Sequence, residues 1–429
     1  MTVVGLDDTD SRELGMCTTY VATRVAERLA DVERLLLVRL NPAVPYKTRG
    51  NAALAIHVDC DPDVAFDVAR EELESLSAGG DEATNPGLVV ADGDAGDVPG
   101  DVRTFARDAL WEHHEIADAE ALLERHGYRS WHLGDGRGRI GALAAVGSWR
   151  AFDDWTDECI SYREPDRWGT PRDVDPESVF AAADWGYPTV WDTVDRGEDE
   201  LVCVPHTPCP ILHGIRGDDP DAVCDVADRI EGEPVDRRQL FVTNQGTDAH
   251  LRAATVADAR DGGAYRLEGT VVSEPETRRG GHVFFTLAGD DERANVGSGD
   301  ADARLECVAF EPTKRFRDRV RALRVGDRLT VCGELSDGTC KLEKLAVREL
   351  VQSERVTPTC PDCGRRMESA GRNQGYRCRD CVTHADEKVA VDLERDLEVG
   401  WYEVPPCARR HVAKPLVRGG FDGPTHPER

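Results

Sequence analysis

An apolar run, Val3 to Leu6, opens the chain and delivers three carboxylates, Asp7, Asp8 and Asp10, before a Gly-Met-Cys-Thr-Thr turn. From Tyr20 the apolar positions Val21, Val25, Leu29 and Val32 recur at helical spacing, and Leu35 to Leu40 read as a buried strand. The pattern predicts strand, loop, helix, strand. A loop with two prolines, NPAVPYKTRGN (41–51), leads to a further strand at Ala52–Val58, and Ala65, Val68, Ala69, Leu73 and Leu76 mark a second amphipathic helix. A turn and short strand over 84–92, a Gly- and Asp-rich loop over 92–100 and a helical stretch over 101–125 follow. Alternation of this kind indicates an α/β or α+β domain.

Further along, GDGRGRIGALAAVG (134–147) places Gly136, Gly138 and Gly141 in a G-x-G-x-x-G frame ahead of a small-residue helix, with Arg137 and Arg139 beside them. Residues 150–200 carry little periodicity and read as irregular structure closing the first domain. From Leu201 the pattern becomes strand (LVCVP), Pro-rich loop (HTPCPILHGIRG), helix (Val223, Val226, Ala227, Ile230) and strand (QLFVTN), a β-α-β unit compatible with a ferredoxin-like lobe. Between 265 and 351 lie five strand-like runs, with a helix marked by Phe316, Val320 and Leu323 between the third and fourth, the layout of an OB-fold. The chain is thus expected to be multidomain α+β: a catalytic α/β domain over 1–200, a ferredoxin-like domain over 201–262, an OB-fold β-barrel over 263–352, and a metal-binding module with a basic tail over 353–429.

Composition changes the picture in two ways. With 82 acidic against 53 basic residues in 429, the net charge is -29, and the acids are spread through every segment. Such a surface resembles that of a protein from a high-salt cytoplasm, so local basic patches say more about partners than the total does. No apolar stretch approaches membrane-spanning length and no signal-peptide layout precedes the first strand, so a cytoplasmic protein is expected. Most of the 14 cysteines then read as small buried hydrophobes and not as disulfides.

Four cysteines differ. Cys360-Pro-Asp-Cys363, fourteen residues, then Cys378-Arg-Asp-Cys381 is the spacing at which four thiolates surround one Zn²⁺, a closed structural site. The basic patches lie around it. Residues 304–325 hold seven Arg or Lys against three acids, among them Lys314, Arg315 and Arg317. The metal module carries Arg365 and Arg366, and the tail PPCARRHVAKPLVR (405–418) carries Arg409, Arg410 and Lys414 with no acid. All are candidate phosphate contacts for single-stranded nucleic acid. His206, Cys209 and His213 invite a second metal reading, which two prolines and the lack of a nearby fourth ligand oppose. Asp236, Asp248 and His250 stay open as partners for a cationic substrate.

The Asp7, Asp8, Asp10 cluster, taken alone, reads first as a solvated Asx turn and helix cap. Its other reading is a site for a hard cation with nucleotide phosphates. Lys47 and Arg49 can clamp phosphates or face solvent, and the glycine frame at 136–141 can cradle a triphosphate at a helix N-terminus. It is not a Rossmann site, because no acidic residue stands at the dinucleotide spacing.

Read together, GLDDTDSRELGMCTTY, RLNPAVPYKTRGN, GRGRIGALAAVG, VPHTPCPILHGIRG, PVDRRQLFVTNQGTDAHL, AFEPTKRFR, CPDCGRRMESAGRNQGYRC and YEVPPCARRH closely resemble the archaeal tRNA-isoleucine 2-agmatinylcytidine synthetases. The resemblance runs from Val3 to about Arg418. It implies a kinase-like domain, a ferredoxin-like domain, an OB-fold and a zinc ribbon. It also implies a ligase that uses ATP to join agmatine to C2 of the wobble cytidine in the isoleucine tRNA with a CAU anticodon, which then decodes AUA and no longer AUG. On that resemblance Asp7, Asp8 and Asp10 would hold Mg²⁺, Thr18 would accept a phosphoryl group, Lys47 and Arg49 would neutralise charge, and the 136–141 loop would bind ATP. The OB-fold, zinc ribbon and tail would grip the tRNA. Two other readings compete: a single-strand-binding protein without catalysis, and an ATP-dependent ligase or kinase acting on another RNA base or end.

Overall fold

A computed structural model describes residues 1–45, 47, 50–289, 303–410 and 413–429. Arg49 and most of the Asp- and Gly-rich stretch 289–303, which reads in the sequence as a solvated hairpin loop, lie outside the described residues.

The N-terminal half is built on one nine-stranded sheet. Its strands are β1 (Thr2–Asp7), β2 (Val32–Arg39), β3 (Ala52–Val58), β4 (Gly87–Asp92), β5 (Arg129–His132), β6 (Thr156–Arg163), β7 (Val190–Trp191), β8 (Ile211–Gly217) and β9 (Val235–Thr243), in the order β5-β4-β1-β3-β2-β9-β6-β8-β7. Every pairing is antiparallel except β2 with β9, where Leu36 faces Val242 and Leu37 faces Thr243. That single parallel seam fuses two lobes into one surface.

Alternation along the strands explains the layers. Val4, Leu6, Leu35, Leu37, Leu54 and Ile56 point to one face and pack on α1 (Thr18–Arg28) and α2 (Pro62–Leu76). Val3, Leu36, Val38, Ala53 and Ala55 point to the other, against α3 (Gly100–Asp108), α4 (Ile116–His126) and α5 (Gly138–Gly147). The helical stretch expected over 101–125 is made of two helices, α3 and α4. In the second lobe α6 (Pro176–Gly186) and α7 (Pro220–Asp228) cover Cys159 and Ile215.

Two expectations fail here for physical reasons. Residues 150–200, read as irregular, supply β6, α6 and β7, and β6 pairs with β8 and β9, so the second lobe draws on residues before 201. Its core strand is masked by buried polar side chains: Arg163 and Glu233 form an ion pair with both side chains 1% exposed. Conversely, LVCVP is no strand but turns along a cavity wall, and the strand is Ile211–Gly217, read as loop because of its His, Gly and Arg.

The third unit is a closed five-stranded barrel. A short strand β10 (Leu251–Ala253) enters it; β11 (Ala264–Val271), β13 (Val283–Gly289), β14 (Arg304–Ala309), β16 (Thr339–Glu349) and β15 (Arg328–Ser336) pair in that order, and β15 returns to β11. A two-residue strand, β12 (Glu276–Thr277), pairs with β13, and α8 (Phe316–Arg321) plugs the barrel with Phe316 and Val320, both fully buried. The zinc-ribbon module follows, with β17 (Ser353–Val356) against β21 (Val389–Asp392) and a small sheet of β18 (Glu368–Ser369), β19 (Tyr376–Arg377) and β20 (His384–Ala385). The chain then returns to the barrel through β22 (Gly400–Glu403) beside β16, and β23 (Thr425–His426) beside β22. Among the described residues no helix is long and apolar enough to cross a membrane.

Candidate active site

At the end of β1 the backbone turns through a conformation that L residues seldom adopt, with Asp8 at φ +59°. The turn gathers three carboxylates. Asp7 Oδ1 accepts the Asp8 amide at 2.8 Å, and Asp8 Oδ2 accepts the Asn85 amide at 3.0 Å from the loop before β4. Burial first, and then repulsion from Asp8 and Asp10, holds the Asp7 carboxyl well above the usual carboxylate range. Asp8 is pushed up to about 7, by burial first and with a contribution from Asp10, against the Asn85 amide and Arg137. Buried acids that resist ionising are relieved by a cation among them, and an all-oxygen set suits a hard one. The three do not close into a ready cage as the four thiols described below do.

Thr18, 5% exposed, is the first residue of α1, and its Oγ1 accepts the Thr9 hydroxyl at 3.1 Å. No side chain caps that helix and its first turn contains no acid, so the positive end of the dipole is left for an anion. Across the turn lies α5. A Cβ on Gly141 would sit 1.8 Å from Asp7 Oδ2, and one on Gly138 would sit 2.4 Å from the Asn85 carbonyl oxygen, so this helix approaches the carboxylates only as glycine. Gly136 takes φ +85° to turn into it. The frame therefore serves close packing as much as it serves a ligand.

These groups line one cavity of about 470 Å³, of a size with small-molecule sites of roughly 300–1,000 Å³. Asp7, Asp8, Asp10, Thr18, Lys47, Arg137, Gly138 and Gly141 all reach it, joined by Arg39 of β2, Glu158 of β6, Arg216 of β8, and Cys203 and Cys209 of the second lobe. Burial lowers the Lys47 pKa, and the other charges acting on it include Glu334 and Lys341 of the barrel and Arg410 of the tail.

The four cysteines form the second site. Cys360, Cys363, Cys378 and Cys381 bring their Sγ atoms within 4.8 Å of one another, the only such donor group among the described residues. Four thiolates about 2.3 Å from one ion stand about 3.8 Å apart, so the set fits tetrahedral Zn²⁺ with little movement. Knuckle turns hold them: the Gly364 amide donates to Cys360 O, and the Cys378 amide to Thr383 O.

Comparison with known proteins agrees with this layout. Family models described as the TiaS TCKD domain, the TiaS FLD domain and the TiaS C-terminal zinc ribbon domain match residues 3–60, 136–250 and 357–397. The tRNA-isoleucine 2-agmatinylcytidine synthetase TiaS of Haloquadratum walsbyi is 53% identical over 100% of both chains, and that of Methanosarcina mazei 46% identical over 97% of each. The chain belongs to the tRNA-isoleucine 2-agmatinylcytidine synthetase family. Crystal structures of TiaS with its isoleucine tRNA and ATP, and of TiaS with that tRNA, AMPCPP and agmatine, match it with TM-scores of 0.88 and 0.84, at 42% and 39% identity, covering 100% of this chain and 99% of each of those.

In this member of the family the expected site residues divide. The N-terminal carboxylates, Thr18, Lys47, Arg137, Gly138 and Gly141 share the cavity, whereas Gly136 does not line it. Arg139, expected at the nucleotide, is buried and turned away, donating to Glu120 at 2.7 Å and to Gly136 O at 3.2 Å. Arg409 and Arg410, expected at tRNA phosphates, are engaged inside the protein. Arg409, with its side chain 3% exposed, pairs with Asp192 and with Glu403 at 2.8 Å; Arg410 pairs with Glu343 and with Glu334 at 2.5 Å. Lys414 gives its amide to Asp248, Lys314 pairs with Glu198 at 3.4 Å, and Arg315 with Asp195 at 3.0 Å and Glu428 at 2.5 Å. Arg317 donates to Gly281 O and Arg365 pairs with Asp380, while the Arg366 side chain is exposed. Asp248, open for a cationic substrate, binds the buried Lys344 at 2.6 Å instead. Sequence reading assigned no role to Arg39, Glu158 and Arg216, single charges inside or ending strands, although Arg39 opens RLNPAVPYKTRGN and Arg216 lies in VPHTPCPILHGIRG.

Proposed function

We propose that this chain conjugates agmatine to C2 of the wobble cytidine of the CAU-anticodon isoleucine tRNA, at the expense of ATP. The first lobe is read as the kinase-like domain, the second as the ferredoxin-like domain, and the barrel as an OB-fold. The observation that carries the reading is the meeting of carboxylates, Thr18 and cations in one cavity. Relatives matched over 99% of their length have been crystallised with an isoleucine tRNA, ATP, AMPCPP and agmatine.

The chemistry follows from the substrate. Cytosine O2 leaves poorly as oxide and well as phosphate. The terminal phosphoryl group therefore passes to O2, the β–γ anhydride bond breaking with its electron pair left on the β-phosphate oxygen. Release of AMP requires that the α–β bond break as well, its pair left on AMP, with the β-phosphoryl group passing to the Thr18 hydroxyl or to water and the displaced proton to solvent. The agmatine amine then bonds to C2, the C2–O2 bond breaks with its pair on the departing phosphate, and the amine proton is lost to solvent. Asp7, Asp8 and Asp10 would hold Mg²⁺, which supplies charge neutralisation at the phosphates. Thr18 presents a hydroxyl at a helix N-terminus, where a phosphoryl group is stabilised. Lys47 and Arg137 add positive charge on the cavity wall. Glu158 is the acid suited to the agmatine cation. It is 3% exposed, Oε1 accepts Arg216 Nε at 3.2 Å, and Oε2 has no partner among the described residues.

Purified protein in high salt should release AMP only when the CAU-anticodon tRNA and agmatine are both present, and digestion of the tRNA should yield 2-agmatinylcytidine by mass. Binding of tRNA without either product would leave a binding module, and a different modified nucleoside would leave a different ligase.

A further inference from the structure

Arg39 is the last residue of β2, and it differs from the other cavity cations. Lys47 stands on a loop and Arg137 pairs with Asp135 at 2.6 Å; Arg216, on the same wall, pairs with Glu158 at 3.2 Å. Arg39 has no carboxylate within ion-pair distance among the described residues. Its only side-chain hydrogen bond there is from Nε to Gln245 Oε1 at 3.0 Å, which leaves the two terminal nitrogens without a protein acceptor. Those nitrogens are also absent from the buried unsatisfied atoms of the fold, so they open onto the cavity that Arg39 lines.

The backbone around Arg39 is fixed as firmly as its side chain is left open. The Arg39 amide donates to Asn244 Oδ1 at 2.7 Å, Asn244 Nδ2 donates back to Arg39 O at 3.0 Å, and His250 Nε2 lies 3.0 Å from the same carbonyl. Asn244, Gln245 and His250 are all buried, at 0%, 2% and 0% exposure. His250 is held neutral, its pKa pushed down to about 4 by burial, so its Nε2–H is the donor to that carbonyl. Three buried polar side chains from one short segment thus converge on one residue, and what they hold is a desolvated guanidinium with no carboxylate at ion-pair distance among the described residues. The charged groups that act on it from farther away are Glu158, Arg216, Cys17 and Asp10. A planar fork with free N–H groups beside a carboxylate turn is complementary to phosphoryl oxygens.

Resting on the reading above, we infer that Arg39 grips the oxygens of the phosphoryl group in the cavity, and that Asn244, Gln245 and His250 are positioning residues that aim it. Arg39 takes part in no bond exchange; it donates two N–H bonds to oxygens whose charge is greatest while the phosphoryl group is in transit.

The test uses the full chain in high salt with Arg39→Gln, Arg39→Lys and Gln245→Ala. Arg39→Gln should lower single-turnover formation of 2-agmatinylcytidine by about a hundredfold or more, as loss of one preorganised donor does. Tm and tRNA affinity should stay near those of the unsubstituted chain, and millimolar ethylguanidinium should restore part of the rate. Arg39→Lys should recover less than a tenth of the rate, because a point charge lacks the fork, and Gln245→Ala should lose about tenfold in kcat with KM for tRNA unchanged. Titration with inorganic tripolyphosphate needs no turnover and separates this inference from the wider one. If the unsubstituted chain forms no product, the reading of the reaction fails, yet Arg39→Gln should still bind tripolyphosphate at least tenfold more weakly. Equal tripolyphosphate binding, or a product rate within threefold of the parent, overturns the role of Arg39.

Discussion

The carboxylate turn at the end of β1 and the basic tail at 405–418 look alike in the sequence: each is a short stretch dominated by one sign of charge. In three dimensions they are opposites. The tail's cations find acids far away in the chain: Arg409 reaches Asp192, Arg410 reaches Glu334 and Glu343, and Arg418 reaches Asp218 at 2.6 Å and Asp154 at 3.3 Å. With Lys344 buried between Asp248 and the Lys414 carbonyl, they clasp the barrel onto the nine-stranded sheet. In the turn, Asp7 and Asp8 accept backbone amides and Asp8 also feels Arg137, yet both carboxyls are held above the usual carboxylate range. Charge that is paired builds structure; carboxyls that burial and mutual repulsion keep from ionising are relieved by a bound cation.

The comparison breaks most sharply at Asp8. Asp8→Asn should lower AMP release and product formation by about a thousandfold, as expected when a charge at the phosphoryl group is lost. It should also raise Tm in the absence of divalent cations, because it removes an acid that burial disfavours. A variant that kept activity within tenfold would remove the turn from the chemistry. Arg409→Met should do the reverse. Leaving Asp192 and Glu403 unpaired costs about 3–5 kcal/mol of stability, measured by denaturant unfolding in high salt, while turnover per folded molecule changes little. A stability loss below about 1 kcal/mol would show that the clasp does not depend on this pair.

The same contrast sets how far the sequence could be read. The zinc ribbon was legible because metal geometry fixes cysteine spacing, and the barrel because its strands alternate between a closed core and solvent. The second lobe was not. Thr156–Arg163 is central and buried, yet it carries Glu158 for the cavity and Arg163 for an internal pair, so its pattern resembles a loop. The apolar LVCVP resembles a strand because Val202 and Cys203 face the cavity. The carboxylate turn could be given a role from its residues, but Arg39, although it opens the RLNPAVPYKTRGN motif, could not. It ends an apolar run as one cation, and what makes it distinct is a segment some 205 residues away that wraps its backbone.

Protons sharpen the contrast by a smaller amount. The Asp8 pKa lies near 7 in the folded chain against 3.8 unperturbed, so the folded state holds a proton that the unfolded state gives up in that interval. Without divalent cations, stability should therefore fall as pH rises from about 4 to 7 and level off above that. A cation must displace the proton, so Mg²⁺ affinity should rise about tenfold from pH 6 to pH 8, and Asp8→Asn should flatten the dependence. Calorimetric titration at three pH values reads it. An affinity independent of pH in the parent chain would show that Asp8 is ionised before the cation arrives.

The smallest effects belong to the zinc ribbon, where Arg365 and Arg366 adjoin one knuckle but differ in pairing. Arg365 pairs with Asp380 at 2.5 Å, both groups more than half exposed, whereas Arg366 faces solvent. If pairing decides which cations reach nucleic acid, Arg366→Ala should weaken tRNA binding by about threefold and reduce the slope of log affinity against log salt by about 1. Arg365→Ala should move both by less, since its gain from a phosphate is offset by the loss of Asp380. Arg409→Met, folded by working well below its lowered Tm, should leave the slope unchanged, because a side chain inside the clasp releases no counterion from the tRNA. Filter binding across a salt series measures all three slopes. A slope change in Arg409→Met as large as that in Arg366→Ala would mean that the clasp opens on tRNA, and the division between structural and ligand-facing charge would then hold only for the free protein.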